Sequence, residues 1–146
     1  MKIVVIDGQG GALGKSLISA IRNAGRNSSG FEIIAVGTNS AATSTMLSAG
    51  ADRGATGENP AAVACSDADI IAGPVGILSA NSMLGEITPL ISRAVGASRA
   101  KKYLIPVSKC DIVVVGVSDM SYAEYVKLAA EMIVLETGRN APGRNQ

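Results

Sequence analysis

Unbroken apolar runs alternate along this chain with longer stretches in which aliphatic residues recur every three or four positions. Lys2–Ile6 (KIVVI) is β-branched and continuous, the pattern of a strand buried on both faces. Phe31–Val36, Asp69–Ala72, Lys102–Val107 and Ile112–Val117 read the same way, so five strands are predicted. Between the first two, Leu13, Leu17, Ile18 and Ile21 fall on one face of a helix expected over Ala12–Asn23, with Gly25 just past its end. A short helix over Ala41–Ala49 takes Asn39 or Ser40 as its cap and stops at Gly50. Asn59-Pro60 reads as an N-cap with proline at the first helical position. Thr88-Pro89 opens a helix to about Ser98, with Leu90, Ile91, Ala94 and Val95 inward. Ser121–Glu124 is a capping box for a last helix to about Thr137, with Val126, Ala129 and Ile133 inward. Ile77–Glu86 fits a short helix or an ordered loop equally well.

This alternation is the doubly wound α/β pattern: a Rossmann-like, three-layer sandwich around a mostly parallel five-stranded sheet. Numbered along the chain, the strands are expected in the order 2-1-3-4-5. The turn Ser108–Asp111 is too short for a crossover, so the last strand is expected to run antiparallel to the fourth. Residues 1–137 make one domain, and the polar residues 138–146 (GRNAPGRNQ) read as a mobile tail.

Composition narrows the function. The chain has 146 residues, 47% of them hydrophobic but only 3% aromatic, so its core must be aliphatic. A net charge of +1 offers no field for a nucleic-acid backbone, and the aromatics are too few for a base-stacking platform. No apolar run approaches the roughly 20 residues that span a bilayer. Asp7 and Gly8 end the opening run too early for a signal peptide. Two cysteines, Cys65 and Cys110, do not make a disulfide framework, which points to a cytoplasmic protein. Histidine is absent, which excludes Ser-His-Asp and Cys-His catalysis and the usual zinc sites. No metal site is predicted.

The chemistry-bearing feature is the turn between the first strand and the first helix, Asp7-Gly8-Gln9-Gly10-Gly11-Ala12-Leu13-Gly14-Lys15-Ser16. Glycines there let a phosphate approach the backbone, and the helix N-terminus supplies N–H groups and partial positive charge. The dinucleotide fingerprint G-x-G-x-x-G, begun at Gly8 and Gly10, needs a third glycine where Leu13 stands; Gly14 comes one residue late. The P-loop ends correctly at Gly14-Lys15-Ser16, but its first glycine falls on Gln9. The dinucleotide-like reading ranks above the P-loop. The second strand ends in Thr38-Asn39-Ser40 instead of the acid that holds a ribose 2′-hydroxyl. Either a 2′-phosphate sits there, favouring NADP over NAD, or no adenosine ribose does. A second glycine-rich exit, Gly73-Pro74-Val75-Gly76, follows the third strand and would face the same crevice.

Other residues are weaker candidates. Lys15 either meets the phosphate or is simply an exposed residue of the first helical turn. Asn81 and Glu86 follow the second glycine exit, but a solvated Glu86, or one assisting the Thr88 cap, is the simpler reading. Cys110 beside Lys109 reads as inert packing before it reads as a reactive thiol. Asp52, Arg53 and Glu58 make either a ligand lid or an ordinary charged loop.

The stretches Ile6–Gly11 (IDGQGG), Gly37–Ser40 (GTNS), Gly50–Asn59 (GADRGATGEN), Gly73–Gly76 (GPVG), Asn81–Pro89 (NSMLGEITP) and Leu104–Val107 (LIPV) carry a resemblance. With them the chain resembles a family of small bacterial proteins defined only as a domain of unknown function. The resemblance implies a Rossmann-like fold and brings no reaction, substrate or partner.

The expected function is therefore binding of a nucleotide, NADP or another phosphate-bearing molecule, by Gly8, Gln9, Gly10, Gly11, Gly14, Lys15, Thr38, Asn39, Ser40, Gly73, Pro74 and Gly76. Two alternatives stand beside it: a small enzyme acting on a phosphorylated metabolite, and a structural protein whose glycine turn is only architectural. An exposed last strand on an aliphatic domain also leads us to expect a homodimer.

Overall fold

Lys2–Asp7 forms the central strand, β1, because every residue after Lys2 is buried and its side chains are claimed alternately by the two faces of the sheet. Ile3 and Val5 belong to one core cluster, and Val4 and Ile6 to the other. The computed structural model describes residues 1–28, 30–107 and 111–139. After β1 come α1 (Ala12–Ala24), β2 (Glu32–Gly37), α2 (Ser40–Ser48), β3 (Arg53–Thr56), α3 (Glu58–Ser66) and β4 (Ile70–Pro74). A single 3₁₀ turn (Val75–Leu78) follows, then α4 (Pro89–Ala97), β5 (Lys101–Ile105) and α5 (Tyr122–Arg139). The sheet order is β3-β2-β1-β4-β5, and all four pairings are parallel. Helices α1, α2 and α5 pack on one face, through Leu13, Leu17, Ile18, Ile21, Met46, Val126, Ala130 and Ile133. Helices α3 and α4 cover the other through Ala61, Ala64, Cys65, Ile91 and Val95. Burying a side chain such as Ile3, Ile18 or Ile71, each fully enclosed, contributes about 1.5–3 kcal/mol, so these two aliphatic layers are what hold the sheet.

Three caps form where side-chain chemistry asks for them. Asn39 Oδ1 accepts from Ala42 N–H at 2.9 Å, and Thr88 Oγ1 from Ile91 N–H at 3.3 Å. Ser121 and Glu124 exchange hydrogen bonds, Ser121 N–H to Glu124 Oε2 at 2.7 Å and Glu124 N–H to Ser121 Oγ at 3.3 Å.

The sheet departs from the expected order 2-1-3-4-5. Ile112–Val117 adds no antiparallel strand. Its chain turns back on itself, with Val117 N–H donating to Val114 O at 3.4 Å and Gly116 at a φ of 85°. The fifth strand is Arg53–Thr56, parallel to β2. It carries no apolar run, since it lies at an edge with mostly exposed side chains, and its backbone pairing alone defines it. Helix α3 takes Gly57 as its cap, which moves Pro60 to the third helical position, still within the first turn where its missing N–H is unneeded. In α4 Leu90 is exposed, and α5 buries Ala130 more deeply than Ala129 and continues to Arg139. The 77–86 stretch resolves into the end of the 3₁₀ turn and a series of tight turns. Residues 108–110 and 140–146, and with them part of the expected Ser108–Asp111 turn and most of the expected tail, lie outside the described residues. Among the described residues no helix is long and apolar enough to cross a membrane.

Candidate functional site

The order of the strands creates a switch point. From β1 the chain passes to α1 on one face, while from β4 it passes towards α4 on the other. The loops leaving these neighbouring strands therefore part, and a crevice opens beyond their carboxyl ends. A cleft of about 720 Å³ lies there. Asp7 to Leu13 and Ser16 line it from β1 and α1, Pro74 from β4, and Pro106 and Val107 from the exit of β5. Met83, Asp119, Met120, Tyr122 and Tyr125 complete it, giving a wall richer in rings and thioethers than the chain as a whole.

The glycine turn has already used several of its donors. Asp7, only 5% exposed, accepts from Gly8 N–H through Oδ1 and from Gly14 N–H through Oδ2, both at 2.8 Å. It thus caps α1 from seven residues upstream. Burial pushes its carboxyl above the ordinary value of 3.8; N–H groups of Gly14, Gly8 and Leu13 pull it back in part, and the Glu86 charge adds to the rise. With both oxygens committed to backbone donors, Asp7 is a cap before it is an acid catalyst. Gln9 N–H donates to Glu86 Oε2 at 2.5 Å, and Gly11 N–H to Gly8 O at 2.9 Å. Among the described residues no partner takes the N–H groups of Gly10 and Ala12, both of which line the cleft.

Close packing explains the glycines at positions 8 and 11 of the turn. Gly11 has a φ of 72°, and a Cβ there would lie 2.8 Å from Ala42 O, so α1 meets the start of α2 backbone to backbone. A Cβ at Gly8 would lie 2.5 Å from Glu86 Oε2, 2.8 Å from Thr38 Oγ1 and 2.9 Å from Met83 Sδ.

The expected site residues separate into three groups. Gly8, Gln9, Gly10, Gly11 and Pro74 line the cleft. Thr38 and Asn39 gather instead around Glu86, donating to it at 2.8 and 3.4 Å, while Ser40 is the exposed first residue of α2. Gly14, Lys15, Gly73 and Gly76 are not part of the cleft lining. Gly14 packs against Met46, and a Cβ at Gly73 would strike Ile6 O at 2.3 Å across the β1–β4 pair. Gly76 O accepts from Ser82 Oγ at 2.6 Å, and Lys15 is exposed. Glu86 is the chief surprise: it sits on the glycine turn and neither drifts in solvent nor assists the Thr88 cap. The Thr38 and Asn39 donors that the NADP reading assigned to a 2′-phosphate are held by Glu86 in this structure, so the geometry gives NADP no support.

Asp52 and Arg53 form no lid. Asp52 accepts from Ile33 N–H at 2.7 Å and Arg53 Nε donates to Glu32 Oε1 at 2.6 Å, both at the start of β2, the far end of the sheet from the cleft. Glu58 opens α3. Asn81 serves its own loop, its N–H donating to Ile87 O at 2.7 Å. Cys65 is buried, which pushes its thiol up to about 11 and makes it inert. Cys110 lies outside the described residues. Pro106, Val107 and the Met120–Tyr125 stretch went unread because an expected fifth strand carried the chain away from the crevice.

Residues 2–137 match the model of a family described as Domain of unknown function (DUF3842). The chain belongs to this family. An uncharacterised family is the kind of relative that the motifs pointed to. The DUF3842 match covers every described strand and ends within α5. No curated protein matches this DUF3842 chain in sequence. In structure the DUF3842 chain is similar to a dodecameric FMN-dependent UbiX-like decarboxylase from Escherichia coli O157:H7. The TM-score is 0.46 at 18% identity, over 94% of this chain and 77% of that one.

Proposed function

We propose that this domain binds a small phosphate-bearing molecule with a flat or apolar portion, of mononucleotide size, in the switch-point cleft. One observation carries the reading: the free N–H groups of Gly10 and Ala12 border the same cleft as Met83, Met120, Tyr122 and Tyr125. The donors sit at the start of α1, where partial positive charge favours an anion, and Ser16 lines the same cleft. Rings and thioethers suit a planar, polarizable group. The volume falls within the about 300–1,000 Å³ typical of small-molecule sites. Binding is favoured over catalysis because the one buried acid in the cleft, Asp7, is engaged as a cap.

A thermal-shift panel of adenine, guanine and flavin mononucleotides, with dinucleotides alongside, tests this. At least one mononucleotide should raise the melting temperature in a concentration-dependent way. No shift with any member at millimolar concentration would leave the turn architectural.

Self-association belongs to the same reading. β5 is an edge strand, and the segment after it exposes Val113 and Val115 at 89% and 94%, an apolar surface suited to a second copy of the chain.

A further inference from the structure

Glu86 is separated from Gln9 by 77 positions and from Thr38 by 48, yet donors from both meet on its carboxylate. Gln9 N–H and Thr38 Oγ1 donate to Oε2 at 2.5 and 2.8 Å, and Asn39 Nδ2 reaches Oε1 at 3.4 Å. The Asn39 amide is oriented for this contact. Its Oδ1 accepts from Ala42 N–H at 2.9 Å, and its Nδ2 also donates to Gln9 O at 2.9 Å. A backbone N–H, a hydroxyl and a carboxamide, all neutral and all donating to one carboxylate, form a cradle for an oxyanion. The carboxylate already there shows that one negative charge is tolerated beside Asp7. Gln9 belongs to the cradle and to the cleft lining alike, so the two adjoin.

The segment that delivers Glu86 is exposed at its tip, Leu84, and fixed at its base. Asn81, Met83 and Leu84 have φ values of 66°, 55° and 56°, in the left-handed region that L side chains disfavour. Leu84 is 100% exposed, so nothing packs on it. At the base, Ile87 is fully buried, Asn81 N–H donates to Ile87 O at 2.7 Å, and Ser82 Oγ donates to Gly76 O at 2.6 Å.

We propose that Gln9, Thr38 and Asn39 form a phosphate site that Glu86 fills as an internal competitor, and that a ligand phosphate gains the site by displacing it. This rests on the reading above that the ligand carries phosphate, and it gives that phosphate further donors adjoining Gly10 and a built-in threshold for binding. The carboxylate and the phosphate exchange places on the same three donors.

The test uses inorganic phosphate and pyrophosphate as probes, titrated by calorimetry into the full chain. Glu86→Ala should bind at least tenfold more tightly than the wild type, and Thr38→Val in the Glu86→Ala background should remove the gain. Glu86→Gln keeps the shape of the side chain, loses its charge, and should also gain affinity; it serves if the alanine variant does not fold. A folded Glu86→Ala or Glu86→Gln protein that binds phosphate no better than the wild type overturns the proposal. In the wild type, amide resonances of Gln9 and Glu86 should move together on phosphate addition, and unmoved resonances at saturation overturn it without any variant. If mononucleotides bind the wild type while the Glu86 variants gain nothing, the cradle fails and the cleft reading stands. If the variants gain phosphate affinity while no nucleotide binds, the cradle stands and the cleft reading fails.

Discussion

Replacing Gly10 and Gly11 by alanine, one at a time, separates ligand binding from folding within two adjacent residues. At Gly10 a Cβ meets nothing within 4 Å, and the residue does not have a positive φ. Gly10→Ala should therefore be neutral or stabilising, by up to about 0.4–1 kcal/mol through the unfolded chain. At Gly11 the φ of 72° and Ala42 O and Cα at 2.8 and 2.9 Å from the new Cβ both oppose the change. The left-handed conformation costs an L residue about 1–2 kcal/mol and the overpacking about 1–3 kcal/mol, roughly 2–5 kcal/mol together. For a chain of this size each kcal/mol moves the melting temperature by about 2–4 °C, so Gly11→Ala should melt roughly 4–20 °C lower and Gly10→Ala within a few degrees of the wild type. Thermal unfolding by circular dichroism, with and without the stabilising mononucleotide, reads both effects. Gly10→Ala should keep its fold and lose most of the ligand-induced shift, because its methyl enters the mouth of the cleft beside a free N–H. Equal destabilisation by the two substitutions would refute the geometry, and an undiminished ligand shift in Gly10→Ala would refute the role of that N–H.

Two further outcomes follow from named contacts. Asp7 has a folded pKa raised above 3.8, so its contribution to stability is full below that value and is lost as pH rises through the folded one. Asp7→Asn cannot titrate and keeps the shape of the protonated acid, so the stability of the wild type relative to the variant should fall as pH rises across that window and then level off. Denaturant melts giving a pH-independent difference would contradict the assignment. For self-association, light scattering should give a dimer mass that Val115→Glu shifts towards the monomer, and a concentration-independent monomer mass for the wild type would end the idea.

How far the sequence could be read depended on what each residue spends its side chain on. Strands β1, β2 and β4 were legible because a strand buried on both faces must be continuously apolar, β5 by the apolar run Tyr103-Leu104-Ile105 at its end, and the caps at Asn39, Thr88 and Ser121 because their chemistry is local. Arg53–Thr56 was not, since an edge strand needs only a backbone partner and shows no apolar run. Ile112–Val117 misled for the converse reason: strong β propensity cannot make a strand without a pairing edge, and Gly116 reverses the chain. The glycine turn was found by its position between strand and helix, but two carboxylates already bind it, and this no spacing rule could reveal. Asp7 is local and could have been read as a cap. Glu86 reaches the turn only through tertiary packing, across 77 positions.

The measurement that bears most directly on the central claim is an amide-resolved NMR titration of the wild-type chain with the mononucleotide that stabilises it best. The account predicts that Gly10, Ala12 and Ser16 shift with saturation, together with Tyr122 and Tyr125, while residues of α3 and the start of β2 stay still. Shifts confined to some other surface, or none at saturating ligand, would contradict it.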